Sequence, residues 1–112
     1  MNILVFLTDW IAASNLYQTQ RYLDCFLEDA ILDDPSVGST FVGHDGIFEY
    51  FNSYFIGYKT QTRLIDVSVK NENHAFVTVE FIGNFPHKRL CGTFDIHFEH
   101  NKISKLTANL IL

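Results

Sequence analysis

An α+β domain is predicted by the order of patterns along the chain: helical spacing dominates its first half and period-two alternation its second. Apolar residues recur at intervals of three and four in residues 3–15 and 44–58, whereas residues 64–70, 75–82, 90–99 and 103–112 alternate as four strands. Helices followed by a long meander predict a mainly antiparallel, curved sheet with helices on one face.

The first helix is read through Leu4, Leu7, Ile11 and Ser14. A second short helix through Tyr22, Cys25 and Phe26 follows the polar Gln18-Thr-Gln20 break. Residues 30–34 form a short strand ending at Pro35, residues 36–40 a turn, and Thr40 to Val42 extends again before Gly43. The third helix places Ile47, Phe48, Phe51, Tyr54 and Phe55 on one wide apolar stripe. Residues 71–73 and 100–102 are hairpin turns, and residues 83–88 make a longer connection. With no repeat, low-complexity run or linker, residues 1–112 read as a single domain.

At 112 residues, 47% hydrophobic and 15% aromatic, the chain can bury a substantial core. Eleven Phe and five Tyr exceed what a tight core of this length needs, so a cavity or a homodimer interface is expected to absorb some of them. A net charge of −5 with eight Lys and Arg argues against nucleic-acid binding. Cys25 and Cys91 fit no metal spacing and are too few for a disulfide scaffold, which points to buried free thiols in a reducing cytoplasm. The opening Met1-Asn-Ile-Leu-Val-Phe-Leu7 has no basic start and breaks at Thr8 and Asp9, so it reads as helix rather than signal peptide. No apolar run approaches the ~18 to 20 residues of a membrane span.

Asp33 and Asp34 are adjacent on a strand, so only one can face the interior, and alternation alone leaves both choices open. The stretch Phe26-Leu-Glu-Asp-Ala-Ile-Leu-Asp-Asp-Pro35, with Gly43-His-Asp-Gly-Ile-Phe-Glu-Tyr-Phe51 eight residues later, resembles the SnoaL-like branch of the nuclear transport factor 2-like superfamily. That resemblance implies a cystatin-like cone with three N-terminal helices packed on the curved sheet. It also implies that Asp34, immediately before Pro35, stands where ketosteroid isomerases carry their general base. The same comparison puts Trp10 at the position of the principal donor tyrosine, Phe26 and Phe51 at supporting tyrosines, and Phe94 at the protonated aspartate. An enolate needs donors aimed at its oxygen; the indole N–H of Trp10 is a weaker donor than a phenol and Phe94 offers none. Steroid isomerisation itself is therefore not expected.

Asp95 is expected on the outer face, because Leu90, Gly92, Phe94, Ile96 and Phe98 form an inward set. His44, His74, His87, His97 and His100 lack the pairwise spacing of a zinc site, so neither a metal nor a cofactor is expected. His87-Lys-Arg89 reads as a solvated basic cluster, and Tyr54 is the preferred pocket tyrosine. The functional expectation is binding, and acid/base conversion, of a small apolar molecule by Asp34 in a pocket lined by Trp10, Phe26, Phe41, Phe48, Phe51, Phe55, Phe81 and Phe94. The competing expectation is a noncatalytic dimeric interaction module whose aromatics fill the cone. Dehydratase or epoxide-opening chemistry ranks third, for want of a second polar group facing Asp34.

Overall fold

The computed structural model describes residues 1–87 and 89–111. Lys88, within the expected connection and basic cluster, and Leu112, at the expected end of the last strand, lie outside the described residues. Helix α1 (Ile3–Asn15) starts at Asn2, whose side chain accepts a hydrogen bond from the Val5 N–H at 3.0 Å. Its buried face runs through Ile3, Leu7, Trp10, Ile11 and Ser14, leaving Leu4 exposed. Two stripes one residue apart compete on this helix, and the one that buries the large Trp10 ring prevails.

Helix α2 (Thr19–Leu23) ends before Cys25, because the Cys25 carbonyl accepts from the Ile103 N–H at 2.8 Å and the chain enters the sheet. Strand β1 (Phe26–Asp34) therefore starts four residues earlier than expected. Its alternation breaks at the exposed pair Glu28 and Asp29, where the register against β6 (Lys102–Ile111) shifts between Phe26 and Ile31. Such a bulge hides a strand from a period-two reading.

Strand β2 (Ser39–Val42) leads through Gly43 into α3 (Gly43–Phe51). Gly43 has φ +69°, and a Cβ there would lie 3.1 Å from the Glu28 carbonyl oxygen. The expected helix to residue 58 instead loosens after Phe51 into a π-helical turn, Asn52–Ile56. The Thr60 hydroxyl closes this segment by donating to the Tyr54 carbonyl at 2.9 Å.

Strands β3 (Gln61–Asn71), β4 (His74–Ile82) and β5 (Arg89–Glu99) complete a six-stranded sheet of order β2-β1-β6-β5-β4-β3. Strand β1 runs parallel to β6 and the other neighbours are antiparallel. The inner face carries Ala75, Val77, Val79 and Phe81 from β4 and Gly92, Phe94, Ile96 and Phe98 from β5. The outer face carries Asp95, as alternation predicts, and the buried Glu80, which sits 3.3 Å from Arg63 and 3.6 Å from Arg89. Arg89 is thus paired across strands rather than left as part of a free basic cluster. Among the described residues, no helix is long and apolar enough to cross a membrane.

Both cysteines are free but not buried as expected: Cys91 is exposed on the outer face of β5, Cys25 is half-buried, and its partial burial pushes the Cys25 thiol up. A raised thiol holds less thiolate at a given pH. Iodoacetamide followed by peptide mass spectrometry is expected to label Cys91 well before Cys25; the reverse order would contradict this placement.

Candidate functional site

Alternation along β1 points Ala30, Leu32 and Asp34 inward, and Pro35 stops the strand immediately afterwards. Asp34 is only 6% exposed, whereas Asp33 faces outward and accepts from the Thr40 hydroxyl at 3.1 Å. A buried carboxylate needs hydrogen-bond donors, and three are supplied. The Ser36 N–H donates to Oδ1 at 3.0 Å, the Ser36 hydroxyl donates to the same oxygen, and the Tyr50 hydroxyl donates to Oδ2 at 2.8 Å. With about four lone-pair sites on a carboxylate, the remaining capacity lies on Oδ2.

Tyr50 comes from the inward face of α3 and is itself buried. Burial, reinforced by the Asp34 charge, raises its phenol well above the ordinary value of 10. It therefore stays a proton donor toward the carboxylate. Because the folded-state value is the raised one, its contribution to stability is complete below pH ~10 and is lost as pH climbs beyond. Alkaline unfolding followed by circular dichroism should begin above pH ~10 and be less steep in Tyr50→Phe; identical profiles would contradict this role. At neutral pH the same substitution should cost about 1–3 kcal/mol in urea denaturation, since it leaves Oδ2 of a buried carboxylate without its donor.

Asp34 and Tyr50 stand in the wall of a cavity of about 240 Å³. Tyr54, Phe55 and Tyr58 reach it from the end of the α3 segment, Phe81 and Phe94 from the sheet, and Ala108 and Leu110 from β6. Of the residues singled out from sequence, Asp34, Tyr54, Phe55, Phe81 and Phe94 line this space. Trp10, Phe26, Phe41, Phe48 and Phe51 do not, and each is placed elsewhere for a physical reason. Trp10, Phe26 and Phe51 pack with Tyr22 into a solid aromatic cluster, Tyr22 stacking on Phe51 with ring centroids 4.0 Å apart. Trp10 borders instead a void of about 10 Å³, and its indole N–H has no hydrogen-bond partner among the described residues. Phe41 packs on Tyr50 at 5.0 Å and is half-buried. Phe48 is 42% exposed, because Ile47, Tyr50, Phe51 and Phe55 take the buried stripe of its helix.

Tyr50 and Ser36 are the polar neighbours of Asp34 that sequence reasoning passed over. Tyr50 lies three residues after Ile47 and four before Tyr54, a helical spacing that could have added it to the apolar stripe. Ser36 reads as an ordinary turn residue, and its two bonds to Asp34 become visible only when the turn is built.

A SnoaL-like domain model matches residues 7–105. No curated protein matches the sequence significantly. Among solved structures, a proposed polyketide cyclase from Sinorhizobium meliloti is 17% identical, with 92% of each chain covered and a TM-score of 0.83. A proposed ketosteroid isomerase from Kribbella flavida is 14% identical, with 96% of this chain and 76% of that one covered and the same TM-score of 0.83. A protein of ketosteroid isomerase-like fold from Catenulispora acidiphila, solved with trimethylamine, is 13% identical over 92% of this chain and 82% of that one, with a TM-score of 0.81. Identities this low speak for the cystatin-like fold alone. The domain match covers most of the sequence and agrees with the helices on one face of the curved sheet, so the chain belongs to the SnoaL-like domain family.

Proposed function

We propose that this protein binds a small, largely apolar molecule in the cavity beside Asp34, and that Asp34 accepts a proton from it. One observation carries the reading: a hydrogen-bonded carboxylate and a buried phenol meet in the wall of a mostly apolar cavity of about 240 Å³. Charged side chains are rarely buried unless paired, and Asp34 is held by neutral donors rather than by a cation. Ser36 and Tyr50 fix the direction of the carboxylate, and its remaining lone-pair capacity lies on Oδ2. A volume somewhat below the ~300 Å³ typical of ligand sites calls for a compact ligand. Structures named as a proposed polyketide cyclase and a proposed ketosteroid isomerase share this fold; Phe94 supplies no donor for a developing oxyanion.

The filled half of the cone favours a second reading, a noncatalytic module, because Trp10, Tyr22, Phe26 and Phe51 pack solidly where a larger ligand would extend. Ala108→Leu distinguishes the two by filling the cavity from β6. Cyclic ketones and phenols titrated into labelled protein are expected to shift NMR signals of Tyr50, Tyr54 and Phe81 saturably, and not in the folded Ala108→Leu variant. If no compound of either class shifts these residues, or if Ala108→Leu binds equally well, the noncatalytic reading stands.

A further inference from the structure

Strand pairing gathers three side chains that lie far apart in the sequence. His74 opens β4 directly opposite His97 in β5, and Asp95 stands two residues before His97 on the same outer face. The two imidazole rings stack with centroids 4.1 Å apart and planes 12° apart. His74 Nε2 and His97 Nε2 lie 2.5 Å and 3.8 Å from the same Asp95 Oδ1, and one donor atom from each of the three residues falls within 4.8 Å of the others. The spacing of histidines along the chain gave no sign of this group, because the register of β4 on β5 creates it.

We propose that His74, Asp95 and His97 form a binding site for a divalent first-row transition ion of the zinc class, on the outer face of the sheet and independent of the Asp34 cavity. Two imidazole nitrogens and one carboxylate oxygen are the donors such ions take. Bonds of ~2.0–2.2 Å place the donors of a tetrahedral ion roughly 3.3 Å apart. The two separations from Asp95 lie on either side of that value, so His74 Nε2 must draw back from Asp95 and His97 Nε2 close on it, and the two stacked rings must tilt out of their near-parallel planes to aim both nitrogens at one ion. The backbone beneath is held by the strand pairing and by the Phe98 N–H, which donates to the Asn73 carbonyl at 2.9 Å. Side-chain exposures of 27% for His74, 42% for Asp95 and 50% for His97 leave the site open to solvent and a fourth position for water or an external ligand. Lys105 stands opposite His97 on β6, and its charge opposes the ion. Bound metal would tie β4 to β5.

Isothermal titration of the whole chain with Zn²⁺ tests the proposal, with thermal melts in parallel. One ion per chain is expected, with a raised Tm, an affinity at least tenfold lower in His97→Ala, His97→Gln and Asp95→Asn, and no change in His87→Ala. Lys105→Gln should tighten binding severalfold. Substituted Co²⁺ should give visible absorption that the His97 and Asp95 variants lose. Circular dichroism establishes that each variant is folded. The proposal is overturned by absence of saturable binding, by binding that survives both His97 substitutions, or by one ion shared between two chains.

Discussion

Asp34→Asn is expected to slow deuterium exchange at the α-carbon of a bound ketone by roughly 10²- to 10⁴-fold, the range of a positioned general base. Affinity for the same ketone should change much less, because an amide has nearly the shape of a carboxylate. The Ser36 N–H and hydroxyl can still donate to the remaining Asn oxygen, and the Tyr50 oxygen can accept from the new amide N–H. What the substitution removes is the basic oxygen. Asp33→Asn makes the natural control, since that carboxylate faces outward toward Thr40. Exchange followed by proton NMR in D₂O separates the outcomes: equal rates in Asp34→Asn and the unaltered protein would sink the general-base role, even with binding intact.

Phe51→Ala is expected to destabilise the protein by about 3–5 kcal/mol, the usual cost of emptying a buried aromatic site. Phe51 is wholly buried between Tyr22, stacked at 4.0 Å, and Phe55, at 5.8 Å. Its removal leaves a void in the solid half of the cone, and the Tyr22 ring loses the face it lies on. Phe48→Ala, three residues earlier on the same helix, should cost no more than about 1 kcal/mol, because Phe48 is already 42% exposed. Urea denaturation of the two variants reads the contrast directly. Similar losses would mean that the inward face of α3 is misassigned.

Those two phenylalanines show where sequence patterning reaches its limit. A three-and-four spacing marks α3 as amphipathic, but a stripe including both Ile47 and Phe48 is too wide to bury whole, and only packing decides which edge faces water. The same ambiguity set Leu4 against Ile3 on α1. In β1 the bulge at Glu28 and Asp29 broke the alternation, so the strand looked half its length. Where alternation was unbroken, as in β5, both the inward set and the outward position of Asp95 were legible.

The candidate site was legible to a different degree. The inward turn of Asp34 rests on one step of alternation, which the residues alone left open and the family resemblance indicated. Its partners depend on a turn and a helix approach that no local pattern encodes, so Tyr50 was passed over for Tyr54 although both share a stripe. Abundant aromatics were read as pocket lining, yet Trp10, Phe26 and Phe51 form the solid cluster around Tyr22, since composition cannot tell a lined cavity from a filled core. The His74, Asp95 and His97 group likewise exists only through cross-strand register.

The reading turns on whether a ligand reaches the Asp34 carboxylate. Carbon-13 NMR of protein labelled at the aspartate carboxyl carbon, titrated with cyclic ketones and phenols, tests this directly. The account predicts that the Asp34 signal moves saturably while the Asp33 signal stays still. A silent Asp34 signal across both compound classes, with Asp33 or other surface aspartates moving instead, would contradict it.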